Sequence, residues 1–169
     1  SFYSYKVSTL VQRNKELHTQ KQLPILYLVN DYQDTTELCS LFLSEHYRSF
    51  NLGKLLSLSR FLFMAQYPEV FKEKIIAEIR GVVDDKGHSP FWHGLGKHFI
   101  DLEFTQADYF VGIGKRQFIA DLMPKYPVYV DLLPEAARVA IGKPYYASQK
   151  ALNLLNKQNF RYAQNVNIF

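Results

Sequence analysis

From Tyr3 to Gln12 the side chains alternate: Tyr3, Tyr5, Val7, Thr9 and Val11 point one way, Ser4, Lys6, Ser8 and Gln12 the other. A period of two predicts a strand with one buried face. A polar connection from Asn14 to Gln22 ends it, and Pro24 leads into a second strand at Ile25 to Val29. After a turn at Asn30-Asp31 a third strand is expected from Glu37 to Leu43. Three neighbouring strands so early predict an antiparallel meander. From about Leu52 to Tyr67 the period becomes helical, with Leu52, Leu55, Leu56, Ser59, Phe63 and Gln66 on one face and Leu58, Phe61 and Leu62 on the other. A helix apolar on both sides is expected to be buried against a sheet.

Further along, Lys74 to Ile79 reads as a short strand closed by Arg80-Gly81, and Asp84-Asp85-Lys86-Gly87 as a loop. Ser89 followed by Pro90 marks a helix start, a capping hydroxyl and then a residue lacking the N–H that a first turn cannot use. Helices are expected at about Gln106 to Gly112, Lys115 to Met123 and Pro134 to Ile141, with a strand at Tyr126 to Leu132 between the last two. A helix at Gln149 to Lys157 then precedes an alternating strand ending at Phe169. Meander, helix, strand and helix in this order predict one α+β domain over residues 1–169 rather than a doubly wound parallel sheet.

Composition narrows the class. With 47% hydrophobic and 21% charged residues the chain is globular in type, and its longest apolar runs, such as Phe61-Leu62-Phe63-Met64-Ala65, fall far short of a bilayer helix of roughly 18 to 20 residues. No membrane association and no leader are expected. The single cysteine, Cys39, leaves no internal disulfide and fits a reducing, cytoplasmic compartment; within its strand it reads as a small buried residue rather than a nucleophile. The net charge of +4 comes from scattered Lys and Arg. Lys72 with Lys74, and Lys115 with Arg116, read as solvated helix faces, so no nucleic-acid partner is expected. A basic site for a phosphate-bearing cofactor explains the surplus equally well. His93 and His98 do not meet at one metal, and His18, His46 and His88 lack local Cys or His partners, so no metal is expected.

Candidate chemistry centres on the turn between the third strand and the long helix. There the amides of Leu52, Gly53, Lys54 and Leu55 converge at the positive end of a helix dipole, which suits the pyrophosphate of coenzyme A or a nucleotide. Gly53 has no Cβ to block approach, Asn51 tolerates the left-handed conformation, and Arg48 offers a charged fork. A loop entering any helix can contain glycine, so spacing alone leaves a purely structural reading open.

Arg48-x-x-Asn51-x-Gly53 after an apolar strand resembles the acyl-CoA motif of the GNAT superfamily. Thr36-Glu-Leu-Cys-Ser-Leu-Phe-Leu, Leu56-Ser-Leu-Ser-Arg-Phe-Leu-Phe-Met-Ala, Ala77-Glu-Ile-Arg-Gly-Val-Val-Asp, Ser89-Pro-Phe-Trp and Phe118-Ile-Ala-Asp-Leu-Met-Pro-Lys resemble the arginine N-succinyltransferases, over essentially the whole chain. The resemblance implies a GNAT-like α+β fold, incomplete here at both ends, in which a mixed, mostly antiparallel sheet is flanked by helices. It also implies succinyl-CoA as co-substrate and the α-amine of L-arginine as acceptor, in arginine catabolism. In this family a succinyl-CoA contact falls on the position of Leu41. Where the pattern has glycine this chain has Asn51, and Tyr145 stands where the family has the histidine assigned as proton donor, with Tyr146 in place of the following proline.

A tyrosine can protonate a leaving thiolate but is poorly suited to accept a proton near neutral pH; as a packed loop aromatic Tyr145 would do neither. The acceptor chemistry calls for carboxylates, as a base working through water or as a clamp on the guanidinium. Glu37, at the head of the cofactor strand, is the catalytic candidate, and Glu78 and Arg80 are the substrate-binding ones, Arg80 receiving the arginine or the succinyl carboxylate. Their ordinary reading is strand-end ion pairs. The alternatives carried forward are a GNAT-family acyltransferase with a different amine acceptor and a catalytically weak CoA-binding or structural subunit, in a homo- or hetero-oligomer.

Overall fold

The computed structural model describes residues 3–168. Its largest feature is a hairpin of β1 (Ser4–Asn14) and β2 (Thr19–Val29), paired without interruption from Ser4 opposite Val29 to Asn14 opposite Thr19. The turn between them is closed by the Leu17 amide donating to Asn14 Oδ1 (2.8 Å). The second strand therefore begins well before Pro24. Its polar first half projects with the far half of β1 into solvent, where polarity does not mark a strand end. Pro24 is tolerated because the outer neighbour reaches only Ile25 and Leu26, so no outer ladder bond needs its missing N–H.

That neighbour is β5 (Val128–Tyr129), and β6 (Asn165–Asn167) lies on the other edge, giving the antiparallel order β5-β2-β1-β6. The expected strand at Tyr126 to Leu132 is cut short at Tyr129, because the chain turns into a 3-10 segment, Val130–Leu132. Asn167 closes β6, and Phe169 lies outside the described residues.

The core forms where the near half of this sheet meets the helices. Tyr5, Leu26 and Ile168 pack with Phe91, Trp92, Leu95, Phe104, Ile119 and Met123. The helices are α2 (Pro90–Gly94), α3 (Phe104–Gly112), α4 (Gln117–Leu122), α5 (Glu135–Ala140) and α6 (Gln149–Asn156). Ser89 Oγ accepts the Trp92 amide at 3.2 Å with Pro90 behind it, the cap read from the sequence. Trp92 Nε1 donates to the Leu102 carbonyl (3.1 Å). A Cβ on Gly94 would lie 2.5 Å from the Ala137 Cβ, so glycine is what lets α2 and α5 touch.

Other expectations fail more fully, and the strand expected from Lys74 to Ile79 is reduced to Ile75–Ile76. The third strand does not continue a meander: only Thr36–Glu37 (β3) is strand, and it pairs in parallel with β4 (Ile75–Ile76) in a separate two-stranded sheet. The long helix forms over Leu52–Gln66 (α1) as read, but it is not buried against a sheet. Ser57 and Met64 are its buried residues, whereas Leu55 and Leu62 are 64% and 73% exposed. A strand pair two residues long offers no face wide enough to cover it.

Candidate functional site

The site is built on the brevity of the β3/β4 pair. The Thr36 amide donates to the Lys74 carbonyl (2.9 Å) and the Leu38 amide to the Ile76 carbonyl (2.8 Å), and there the ladder stops. The Lys72 amide bonds Thr36 Oγ1 (2.8 Å) and the Lys72 ammonium pairs with Asp34 (2.8 Å), pinning the paired end. Beyond it the two segments separate, because Ser40 adopts φ 55°, a left-handed turn that no regular strand contains. The β4 side finds a new partner, with the Tyr145 amide donating to the Arg80 carbonyl (2.7 Å) and Gly81 bridged to Pro144. Among the described residues, Cys39, Ser40, Leu41 and Phe42 make no backbone–backbone hydrogen bond. The result is a wedge with a row of open amides and carbonyls on one side and Leu41 partly exposed on it. Cys39 is exposed too, rather than buried as the alternation suggested.

At the wide end of the wedge the chain turns into α1. Arg48 Nε donates to the Leu43 carbonyl (3.0 Å) and Nη1 faces Glu45 at 3.5 Å on the surface, so part of its fork ties the turn together. Phe50 and Asn51 are both left-handed, with φ 50° and 60°. The Leu52 amide bonds Ser49, and those of Lys54 and Leu55 bond Asn51. Three of the four amides expected to converge on a phosphate thus have intrachain acceptors, and Gly53 N–H has none among the described residues. A Cβ on Gly53 would meet Leu43 Cδ2 at 3.6 Å, an ordinary contact, so nothing within the chain demands glycine there.

At the narrow end the pairing brings Glu37 and Glu78 together, since Glu37 lies opposite Ile76 and Glu78 follows two residues later. Glu78 reaches solvent, yet it sits in a crowded recess whose desolvation pushes its carboxyl up to about 7. The like charge of Glu37 adds to this and Arg116 opposes it. Asn167 Nδ2 donates to Glu78 Oε1 at 2.9 Å. A carboxyl poised there exchanges protons at neutral pH. Arg80 is already engaged: its guanidinium faces Asp108 at 3.8 Å and lies over the Phe104 ring.

Tyr145 stands beside Arg80, its ring 4.4 Å from that of Tyr146. The hydrogen bond to the Tyr146 hydroxyl, then partial desolvation and the nearby Tyr146 and Asp85 oxygens, push its phenol above the ordinary tyrosine value. At neutral pH it is a proton donor and not an acceptor.

Lys115 and Arg116 lie in the turn between α3 and α4 rather than on a helix face; Lys115 is exposed as expected, Arg116 is half-buried, and both line a cleft of about 630 Å³. A smaller cleft of about 440 Å³ adjoins it along α3, sharing Leu102 and Phe110. Residues 39–42 do not line either hollow, but Arg116 is close enough for its charge to act on Glu78. Only the unremarkable Gly114-Lys115-Arg116 run signals this in sequence, and its meaning depends on Gly114 taking φ 82° to turn α3 into α4. Among the described residues no three His, Cys, Asp or Glu side chains gather for a metal, and His88 pairs with Asp84 at 3.1 Å.

Comparison with known proteins gives a consistent set of relatives. The family described as Arginine N-succinyltransferase beta subunit matches residues 1–169. Over 168 residues the chain is 46% identical to the arginine N-succinyltransferase of Citrobacter koseri, covering 99% of this chain and 49% of the relative. It is 47% identical to that of Enterobacter sp. strain 638 with the same coverage. The chain thus spans about half the length of the curated relatives it matches. The solved arginine/ornithine succinyltransferase subunit AI from Pseudomonas aeruginosa superposes with a TM-score of 0.86 at 30% identity, over 99% of this chain and 48% of that one.

Proposed function

Since the chain belongs to the arginine N-succinyltransferase family and has its GNAT-like α+β fold, we propose that it carries the acyl-transfer site of an enzyme moving a succinyl group from succinyl-CoA to the α-amine of L-arginine. The wedge is the observation that carries this reading. Open amides and carbonyls at residues 39–42 can pair with the two amides of a pantetheine arm as a neighbouring strand would, and Leu41 lies along that path. The Gly53 amide, the α1 dipole, Lys54 and the unengaged part of Arg48 then suit the pyrophosphate, with Leu52, Asn51 and Leu55 shaping the turn.

In the reaction the neutral α-amine attacks the thioester carbonyl. The nitrogen's proton passes to Glu78, whose carboxyl titrates at about 7, while Glu37 keeps it there. An open amide of residues 39–42 stabilises the developing oxyanion. The carbon–sulfur bond breaks and the CoA thiolate takes its proton from the Tyr145 hydroxyl. The roles expected for Glu37 and Glu78 are thus exchanged: Glu78 is the base and Glu37 its tuning neighbour. The Tyr145 phenol, raised above its ordinary value beside the Tyr146 ring, favours a second reading, a CoA-binding subunit with weak turnover, since such a group does not accept a proton near neutral pH.

Calorimetric titration of the full-length protein with succinyl-CoA tests the donor site, and absence of binding to the folded protein sinks both readings. A thiol-release assay with L-arginine separates them, turnover favouring the transferase and binding without turnover the inert subunit. Other amines in the same assay test the acceptor.

A further inference from the structure

The cleft between α3 and α4 has features that a solvated surface lacks. Leu102, Phe110 and Phe118 give it apolar walls, and Lys115 and Arg116 follow one another along its rim with Asp101 as the acid lining it. Among the described residues no carboxylate lies within ion-pair distance of Lys115 or Arg116. The Lys115 amide is held by the Phe110 carbonyl (2.9 Å) and the Arg116 amide by Gly114 (3.1 Å), which fixes the backbone from which both cations project. Arg116 Nε leans on the Val111 carbonyl at 3.4 Å, leaving the terminal nitrogens of the fork uncommitted. Arg80, the cation first expected to hold a carboxylate, is occupied by Asp108 and Phe104.

An α-amino acid carries its carboxylate on the carbon that bears its amine, so whatever holds the carboxylate must neighbour whatever takes the amine's proton. Arg80, two residues after Glu78, reaches Asp108 on α3 at 3.8 Å, so the Glu78 segment runs beside the helix that walls the cleft, and Arg116 is close enough for its charge to act on Glu78. We propose that the Lys115–Arg116 cleft binds the α-carboxylate of the acceptor, with Arg116 as the specificity-determining cation, and so restricts the site to free α-amino acids over simple amines. The proposal rests on reading the site as an N-acyltransferase.

The test uses the full-length protein with two acceptors, L-arginine and L-argininamide, whose carboxylate is replaced by a neutral amide. Arg116→Gln is expected to raise KM for L-arginine about tenfold or more relative to KM for L-argininamide, the range for losing a charge-assisted hydrogen bond, while any change in kcat through the lost charge beside Glu78 falls on both acceptors alike. Arg116→Lys should recover part of the loss. Calorimetric affinity for succinyl-CoA should be the same in every variant, which separates this proposal from the donor-site reading beneath it. Should turnover prove undetectable, titration with L-arginine alone decides the matter by its loss or persistence in Arg116→Gln. Equal L-arginine affinity in wild type and Arg116→Gln, or parallel weakening of both acceptors, overturns the proposal.

Discussion

A carboxyl that titrates at about 7 is set for proton transfer, and Glu78 owes this first to the crowding of its recess and then to Glu37. The rate of acyl transfer is therefore expected to rise with pH through about 7 and to level above it; Glu78→Gln should lose most of the rate together with that limb, measured as kcat/KM against pH. The same group links stability to pH in the opposite sense to an ordinary carboxylate. Because the folded state binds this proton more tightly than the unfolded one, its contribution is complete below the unfolded value and falls away as pH rises through about 7. Thermal midpoints should decline across that window in the parent and decline less in Glu78→Gln; solvent access keeps the effect small. Tyr145 makes the second prediction at this scale. An imidazole gives and accepts protons near neutrality where the raised phenol only gives, so Tyr145→His should increase thiol release by roughly tenfold or more. An unchanged rate would remove the position from the mechanism.

Among the elements, those fixed by local signals were legible. α1 and the Ser89-Pro90 cap formed where spacing and capping chemistry put them. What escaped depends on partners distant in sequence. Cys39–Phe42 alternate like any strand, and nothing in their composition reveals that Ser40 turns left-handed and frees their backbone. The apolar faces of α1 suggested burial, but burial belongs to what packs against a helix, and here little does. Lys115 and Arg116 looked like a charge run until the α3–α4 turn folded them over a cleft. The contact of α2 with α5 gives a prediction of its own. Gly94→Ala forces a methyl to 2.5 Å from Ala137, so chemical denaturation should show a loss of about 1 to 3 kcal/mol. A loss below a few tenths would mean that the two helices slide apart freely.

For the whole molecule, the antiparallel sheet and its helices make the core, while the β3/β4 pair and α1 stand outside it with more exposed surface. Binding at the wedge adds contacts beyond the point where the β3/β4 ladder stops, so succinyl-CoA should raise global stability, by about 2.7 kcal/mol at one hundred times its Kd. A thermal midpoint that ignores saturating succinyl-CoA would disprove the donor site. No helix among the described residues is long and apolar enough to cross a membrane. The open row at residues 39–42 has a further consequence for handling and evolution. Backbone kept free for one partner is free for every partner, and with Leu41 and Phe42 exposed on it this segment is a ready seed for self-association. A ligand lying along it would then act as a guard against self-association as much as a reactant, and the protein would be least soluble when its ligand runs short.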